Sequence, residues 1–155
     1  EADGLQPFNL GQKGRSSWFG CACCPPNIAR LLMQVPGLMY YHTGRDIYLT
    51  LYGSSSTEVP LADGTVAVEQ TSDYPFSGES TIVLTPANPM TFALRLRIPT
   101  WARGGEFLPG GLYTYADAAS GRWTVKVNGK PVDVPLEEGF AVIDRRWRPG
   151  ACWPG

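Results

Sequence analysis

Residues 92–98 read Phe92-Ala93-Leu94-Arg95-Leu96-Arg97-Ile98, and this alternation decides the fold class of the chain. Large apolar side chains stand at every second position, with alanine and arginine between them. Successive side chains of a β-strand point to opposite faces of the sheet. The period of two therefore predicts a strand with one buried face, and it is the clearest strand pattern in the chain.

Shorter alternating segments lie on both sides of this strand. We expect further strands over residues 46–52, 65–71, 81–84, 123–127 and 140–143. Turn residues separate them, at 53–56, 63–64, 77–78 and 86–89. Asn128-Gly129 is a strong hairpin signal, because both residues tolerate a positive φ. Many short strands joined by turns predict a mainly β protein whose fold is an antiparallel β-sandwich.

A short helical segment precedes the strands. Pro26 suits a first helical turn, where a missing N–H costs nothing. A helix is predicted over residues 26–35, with a further turn over 38–41, and four side chains at helical spacing form one expected buried face: Ile28, Leu31, Leu32 and Val35. We therefore divide the chain into residues 1–44, the end of a helical part, and residues 45–155, the sandwich.

Composition bounds the classes of partner. The chain has 155 residues and a formal net charge of -1. This balance gives no reason to expect nucleic acid, and the basic run at residues 145–148 is explained as a solvated strand end. No apolar run reaches the length of about 18 residues that indicates a membrane helix, and no signal-peptide pattern is present. We expect neither nucleic acid nor a membrane as a partner.

Three of the four cysteines lie within residues 21–24, directly before the predicted helix. Clustered thiolates repel one another unless a metal, a disulfide or a helix N-terminus stabilises them. Cys23 and Cys24 are neighbours, and neighbouring residues rarely meet disulfide geometry. Zinc favours thiolate ligands, and the partial positive charge at a helix start also favours a thiolate. The cluster predicts a metal-bound or activated thiolate, with at least one zinc ligand from elsewhere.

Other side chains are weaker candidates for chemistry. A cysteine can also serve only as a small buried apolar side chain. For Cys21 this role and a functional role are equally expected, and for Cys152 the buried role is favoured. The single histidine, His42, has no partner motif and is expected at the surface. No pair of carboxylates of the kind that glycosidases use can be nominated. Stacking on sugars is conceivable for three tryptophans, but core packing is the expected role of Trp101, Trp123 and Trp147.

The segment WFGCACCPPNIAR, residues 18–30, resembles the signature of the β-L-arabinofuranosidase group of glycoside hydrolases, families 127 and 146, formerly a domain of unknown function. Later landmarks follow in the same order, at residues 46–52, 97–101 and 127–129. The resemblance extends to about residue 150, and the departure at residues 151–155 is typical of a truncation or of a change of reading frame, so we expect a sandwich that is truncated at its end. It implies that residues 1–44 end an (α/α)6 barrel that carries the active site.

The resemblance also implies a retaining glycosidase with a cysteine nucleophile and a zinc ion held by one glutamate and three cysteines. By the match of positions, Cys23 is the nucleophile and a zinc ligand, and Cys24 is a second zinc ligand. Cys21 matches the motif but is not counted as a ligand. The other ligands, a glutamate and a cysteine, and the acid/base glutamate are expected upstream of Glu1. The implied substrate is an arabinose-containing glycan, met by the full-length protein.

Three functions stay open at this point. The first is a fragment of a zinc-dependent β-L-arabinofuranosidase that is inactive as an isolated chain. The second is a non-catalytic β-sandwich module that packs on a barrel or binds carbohydrate. The third is a structural zinc or redox-thiol protein, which explains the cysteines but not the matched strands. Reduced thiolates favour the cytoplasm and bound zinc can protect them in a periplasm, so both compartments of a bacterium stay open.

Overall fold

The computed structural model describes residues 23–104 and 122–149. The chain divides into two compact units, Glu1–Pro36 and Gly37–Gly155. The described part of the first unit is dominated by helix α1, Cys24–Gln34, and Val35–Leu38 forms a 3-10 turn after it. Pro26 lies in the first turn of α1, as predicted, but the helix begins at Cys24, two residues before the predicted start, so Pro25 lies in that turn as well. The division into residues 1–44 and 45–155 stays a prediction.

Ten strands form from the described residues of the second unit. They are β1 Tyr40–His42, β2 Asp46–Leu49, β3 Ser55–Leu61, β4 Gly64–Ser72, β5 Ser80–Pro86, β6 Met90–Arg97, β7 Val125–Val127, β8 Lys130–Val132, β9 Leu136–Glu137 and β10 Phe140–Trp147. The order β1-β2-β6-β10-β9 forms a five-stranded sheet, β3-β4-β5 a three-stranded sheet, and β7-β8 a hairpin. Among these pairings only β2 with β6 is parallel.

The apolar faces of the two larger sheets supply one hydrophobic core. The core includes Leu94 of β6 and Val66 and Val68 of β4, which are fully buried. Glu69, on the opposite face of β4, is exposed, as the alternation predicts. The indole of Trp147 stacks on the ring of Phe92, with the ring centroids 5.3 Å apart. Its Nε1 donates a 2.9 Å hydrogen bond to the Phe92 carbonyl oxygen. The predicted mainly β, antiparallel sandwich is confirmed, with the parallel pair of β2 and β6 as a departure that the sequence did not indicate.

Two local predictions have opposite outcomes. The Asn128-Gly129 hairpin is confirmed, because both residues have positive φ, 50° and 75°, and Val127 pairs with Lys130 across the turn. The turn predicted at residues 53–56 is wrong from Ser55 onward, because β3 begins there. The sequence of β3 is rich in serine and contains Pro60, which an edge strand tolerates since it pairs with β4 alone.

The helical predictions also need correction. The further turn over residues 38–41 is wrong beyond Leu38, because Tyr40 begins β1 and pairs with Leu49. The predicted buried face of the helix is wrong as well: Ile28, Leu31 and Leu32 are 60%, 55% and 65% exposed. Helical spacing identifies an amphipathic helix, but it does not supply the surface that covers it. In the part of the chain that the structure describes, no helix is long and apolar enough to cross a membrane.

Candidate functional site

The two described cysteines lie side by side at the start of α1. Cys23 occupies the position before the helix and Cys24 is its first residue. Their Sγ atoms are 3.6 Å apart, and both thiols are exposed. Cys23 already has helical dihedral angles, φ -67° and ψ -46°, so the two side chains leave one continuous turn. Cys21 and Cys152 lie outside the described residues.

Asn27 fixes this turn from within the helix. Its Nδ2 donates a 2.7 Å hydrogen bond to the carbonyl oxygen of Cys23, and its backbone N–H donates to the same oxygen at 3.4 Å. Arg30 Nη1 donates to Asn27 Oδ1 at 3.2 Å, which holds the amide in place. The backbone of the cysteine pair is thereby anchored by side chains one turn further along the helix.

The helix start is a weaker stabiliser of thiolates than the sequence argument assumed. A helix N-terminus stabilises an anion through its unpaired backbone N–H groups. Pro25 and Pro26 occupy the first turn and have no N–H to donate. The N–H of Asn27 is engaged with the Cys23 carbonyl oxygen. The first turn of α1 therefore offers fewer backbone N–H donors to a sulfur anion than a helix start without prolines does.

The spacing of the two sulfurs fits a shared zinc ion. Zn–S bonds are about 2.3 Å long, so two thiolates on a tetrahedral zinc lie roughly 3.8 Å apart. The observed Sγ separation of 3.6 Å is close to that value. Among the described residues, no group of three or more His, Cys, Asp or Glu side chains assembles that could complete a site. A tetrahedral zinc ion bound here would need two further ligands besides these two sulfurs.

The structure also shows the burial of the single histidine and of three tryptophans. His42 is exposed on β1, in agreement with the expectation of a surface histidine. Trp147 is buried in the core as expected, and Trp123 is partly buried against it. The expectation of core packing is wrong for Trp101, which is 42% exposed. Trp101 belongs to the 3-10 turn Thr100–Arg103, whose inward side is taken by buried Ala102.

A charged network on the five-stranded sheet was not anticipated. Arg95 Nε donates to Asp46 Oδ2 at 3.0 Å, and Arg95 Nη1 donates to Glu137 Oε2 at 2.9 Å. The guanidinium also lies 5.5 Å from the ring centroid of Tyr48. The hydrogen bonds with Glu137 and then Asp46 raise the pKa of Arg95. Arg95 forms an ion pair with both carboxylates, and the network joins β2, β6 and β9.

A cleft with aromatic walls opens in the second unit, and sequence reasoning did not find it. Its volume is about 380 Å³, and it is lined by side chains that include Tyr52, Tyr74, Trp101 and Trp123. These rings come from separate loops and strand ends, so no spacing along the chain reveals their meeting. Two of its rings, Trp101 and Trp123, are among the three tryptophans for which the sequence left stacking on sugars open, although core packing was expected for them.

Comparison with known proteins identifies the family. A family model described as the β-L-arabinofuranosidase GH127 middle domain matches residues 46–152. Among curated proteins, a non-reducing end β-L-arabinofuranosidase of Bifidobacterium longum subsp. longum is 38% identical over 135 residues, which cover 83% of this chain and 17% of that protein. The match supports the resemblance that the cysteine motif and the strand landmarks indicated.

Solved structures share both the fold and the sequence. A GH127 β-arabinofuranosidase superposes with a TM-score of 0.80 at 37% identity, covering 89% of this chain and 22% of that one. A GH127 β-L-arabinofuranosidase from Geobacillus stearothermophilus T6 superposes with a TM-score of 0.71 at 30% identity, covering 96% and 22%. The chain spans about a fifth of the length of these relatives. It belongs to the GH127 β-L-arabinofuranosidase family of glycoside hydrolases.

Proposed function

We propose that this chain supplies the cysteine nucleophile and two zinc ligands of a retaining β-L-arabinofuranosidase that acts on arabinose-containing glycans. Cys23 is the nucleophile and a zinc ligand, and Cys24 is a second ligand. The observation that carries the proposal is the pair of exposed thiols with Sγ atoms 3.6 Å apart at the start of α1, in a chain that belongs to this glycosidase family.

The local chemistry favours a metal over the helix as the stabilising charge. Two adjacent thiolates repel one another, and the prolines of the first turn remove donors that would otherwise offset this repulsion. A bound zinc ion would keep both sulfurs deprotonated near neutral pH. The other ligands, a glutamate and a cysteine, come from the parent protein outside the described residues.

Cys23 then acts by two displacements. Its Sγ attacks the anomeric carbon, the C–S bond forms as the glycosidic C–O bond breaks, and a carboxylic acid outside this chain protonates the leaving oxygen. The same carboxylate next removes a proton from water, whose oxygen attacks the anomeric carbon and releases the thiolate. Two inversions at one carbon give net retention of configuration. Asn27 and Arg30 act as positioning residues that hold the backbone of the nucleophile.

The exposed apolar side of α1 supports the assignment of this helix to a helical barrel of the parent protein. Ile28, Leu31 and Leu32 lie on one face of the helix and are 60%, 55% and 65% exposed, a set of side chains that a helical barrel would bury. We assign residues 1–44 to the end of such a barrel and residues 45–155 to the sandwich that follows it. Without the barrel, the chain lacks the acid/base group and half of the zinc ligands, so it is inactive on its own.

The experiment compares variants of the full-length protein on an aryl β-L-arabinofuranoside. Cys23→Ser is expected to lower kcat by at least about 10³-fold and to reduce zinc content, because an alcohol replaces both nucleophile and ligand. Cys21→Ser is the matched control and is expected to keep both. Full activity in Cys23→Ser would overturn the nucleophile assignment and favour the alternative, in which the sandwich is a non-catalytic module.

A further inference from the structure

We propose that the aromatic cleft of the second unit binds a sugar ring of the arabinose-containing glycan. The cleft of about 380 Å³ falls within the range of about 300–1,000 Å³ typical of small-molecule sites. It is lined by aromatic, apolar and charged groups of described residues. The identity of the sugar rests on the proposed function, whereas the binding itself does not depend on the cysteines.

The walls provide the apolar surface that a sugar ring needs. Trp101 is 42% exposed and Tyr74 is 39% exposed, so both rings offer part of their surface to the cleft. The face of an aromatic ring is electron-rich and attracts the weakly positive C–H groups on one side of a sugar ring. Tyr52 continues the aromatic wall, with its ring centroid 6.3 Å from that of Tyr74. The floor is core surface, formed by Ile82, Leu96, Ile98 and Val125.

The rim provides the polar groups that sugar hydroxyls need. The Glu79 carboxylate can accept hydrogen bonds, and the Arg122 guanidinium can only donate them. Both line the cleft, both are exposed, and neither forms an ion pair within residues 23–104 and 122–149. Thr124 adds a hydroxyl that can do either. Lys126 also lines the cleft, so the lining carries one carboxylate and two cationic groups, and a ligand with several hydroxyls finds both acceptors and donors there.

The cleft is held in shape before any ligand arrives. The Tyr52 hydroxyl donates a 2.7 Å hydrogen bond to the carbonyl oxygen of Arg97, at the end of β6. Ala102 is buried and anchors the 3-10 turn that carries Trp101, and Gly104 ends that turn with φ 69°, a conformation that favours glycine. The Tyr74 N–H donates to Ser72 Oγ at 3.2 Å. A preformed wall lowers the entropic cost of binding.

The test is a titration of the 155-residue chain with methyl β-L-arabinofuranoside, followed by NMR of the indole N–H resonances. Trp101 and Trp123 are expected to shift with saturation, and buried Trp147 is expected to stay unchanged as an internal reference. Trp101→Ala is expected to weaken binding roughly tenfold, since the loss of one aromatic contact is of that order. Tyr41→Ala is the matched control: Tyr41 is 49% exposed but does not line the cleft, so binding is retained.

The outcomes separate this proposal from the proposed function. Glycerol, which has hydroxyls but no ring, is expected to give no saturable shift. Trp101→Phe keeps an aromatic face and is expected to bind with an intermediate affinity, which covers the case in which the alanine variant does not fold. Cys23→Ser is expected to bind the sugar as tightly as the parent chain. No saturable shift at Trp101, or equal affinity in Trp101→Ala and the parent, would overturn the assignment.

Discussion

The apolar side chains of helix α1 are exposed, whereas those of the β-sandwich are largely buried. No residue of α1 is buried, and Leu32 is 65% exposed. In the sandwich, Ile47, Leu49 and Leu94 are fully buried, and two sheets contribute to one core. An isolated helix of 11 residues is marginal in water, because most helical stability comes from packing of its apolar face. The sandwich has a buried core of its own, and we expect α1 to need a covering surface for stability.

The same contrast separates the chemistry of the two regions. The thiol pair at Cys23 and Cys24 is exposed and fits a metal that needs further ligands. In the sandwich, the carboxylates of Asp46 and Glu137 are held by Arg95 on the sheet. The thiols are exposed at the helix start, whereas the carboxylates of the sheet are held in ion pairs. Under the proposed function, the parent protein adds the remaining side chains around Cys23 and Cys24.

The largest expected effect tests the sandwich core. Trp147→Ala removes the ring that stacks on Phe92 and the donor to the Phe92 carbonyl oxygen, so the free energy of unfolding should fall by about 3–5 kcal/mol. Urea denaturation of the 155-residue chain measures this loss. Tyr41→Ala, at an exposed site, should change stability by less than about 0.5 kcal/mol. Equal midpoints for the two variants would contradict a self-contained core.

A second prediction tests the dependence of α1 on its surroundings. Leu32→Ala should change the stability of the 155-residue chain by less than about 0.5 kcal/mol, because the side chain is already exposed. In the full-length protein the same substitution should cost about 2–5 kcal/mol, because a barrel would bury the side chain. Denaturation of both proteins measures the difference. A small cost in the longer protein would show that this face stays in water.

The smallest expected effect concerns Tyr52 of the sandwich. Burial raises the pKa of Tyr52 from 10.0 to about 12, opposed by the charge of Arg97. Between those pH values the folded chain keeps the phenolic proton and the unfolded chain loses it. The free energy of unfolding therefore keeps its full contribution from Tyr52 below pH 10 and loses that contribution as pH rises toward 12. Tyr52→Phe should remove this part of the alkaline loss and cost about 1 kcal/mol at pH 7, through the lost hydrogen bond to the Arg97 carbonyl oxygen.

Urea midpoints from pH 8 to 12 measure the two alkaline profiles. Burial also raises the pKa of Tyr40, so the Tyr52→Phe variant should keep a residual alkaline decline. Parallel profiles for the parent chain and the variant would contradict a buried, hydrogen-bonded Tyr52.

Local patterns predicted the parts of the fold that local physics determines. The alternation at residues 92–98 found β6, and Asn128-Gly129 found its hairpin, because pleating and positive φ are properties of a few neighbouring residues. The serine-rich strand β3 was missed, since it is formed through pairing with β4 and not through its own propensity. Tertiary pairing is absent from any local window.

The candidate sites divide along the same line. The thiol pair at Cys23 and Cys24 was predictable, because its members are adjacent in sequence. The aromatic cleft was not, because Tyr52, Tyr74 and Trp101 meet only after the sheets pack. The sequence shows that two prolines remove backbone N–H donors near the helix start. How far this lowers the stabilisation of a thiolate depends on which other backbone N–H groups remain, and the sequence does not show that.

The central claim, that Cys23 is the nucleophile, is tested most directly by trapping its covalent intermediate. The full-length protein is quenched with acid during turnover of an aryl β-L-arabinofuranoside with a good leaving group, digested, and analysed by mass spectrometry. The account predicts one arabinosyl group on the Cys23 sulfur and none in Cys23→Ser. An arabinosyl group on a carboxylate, or on Cys24 with Cys23 unmodified, would contradict it.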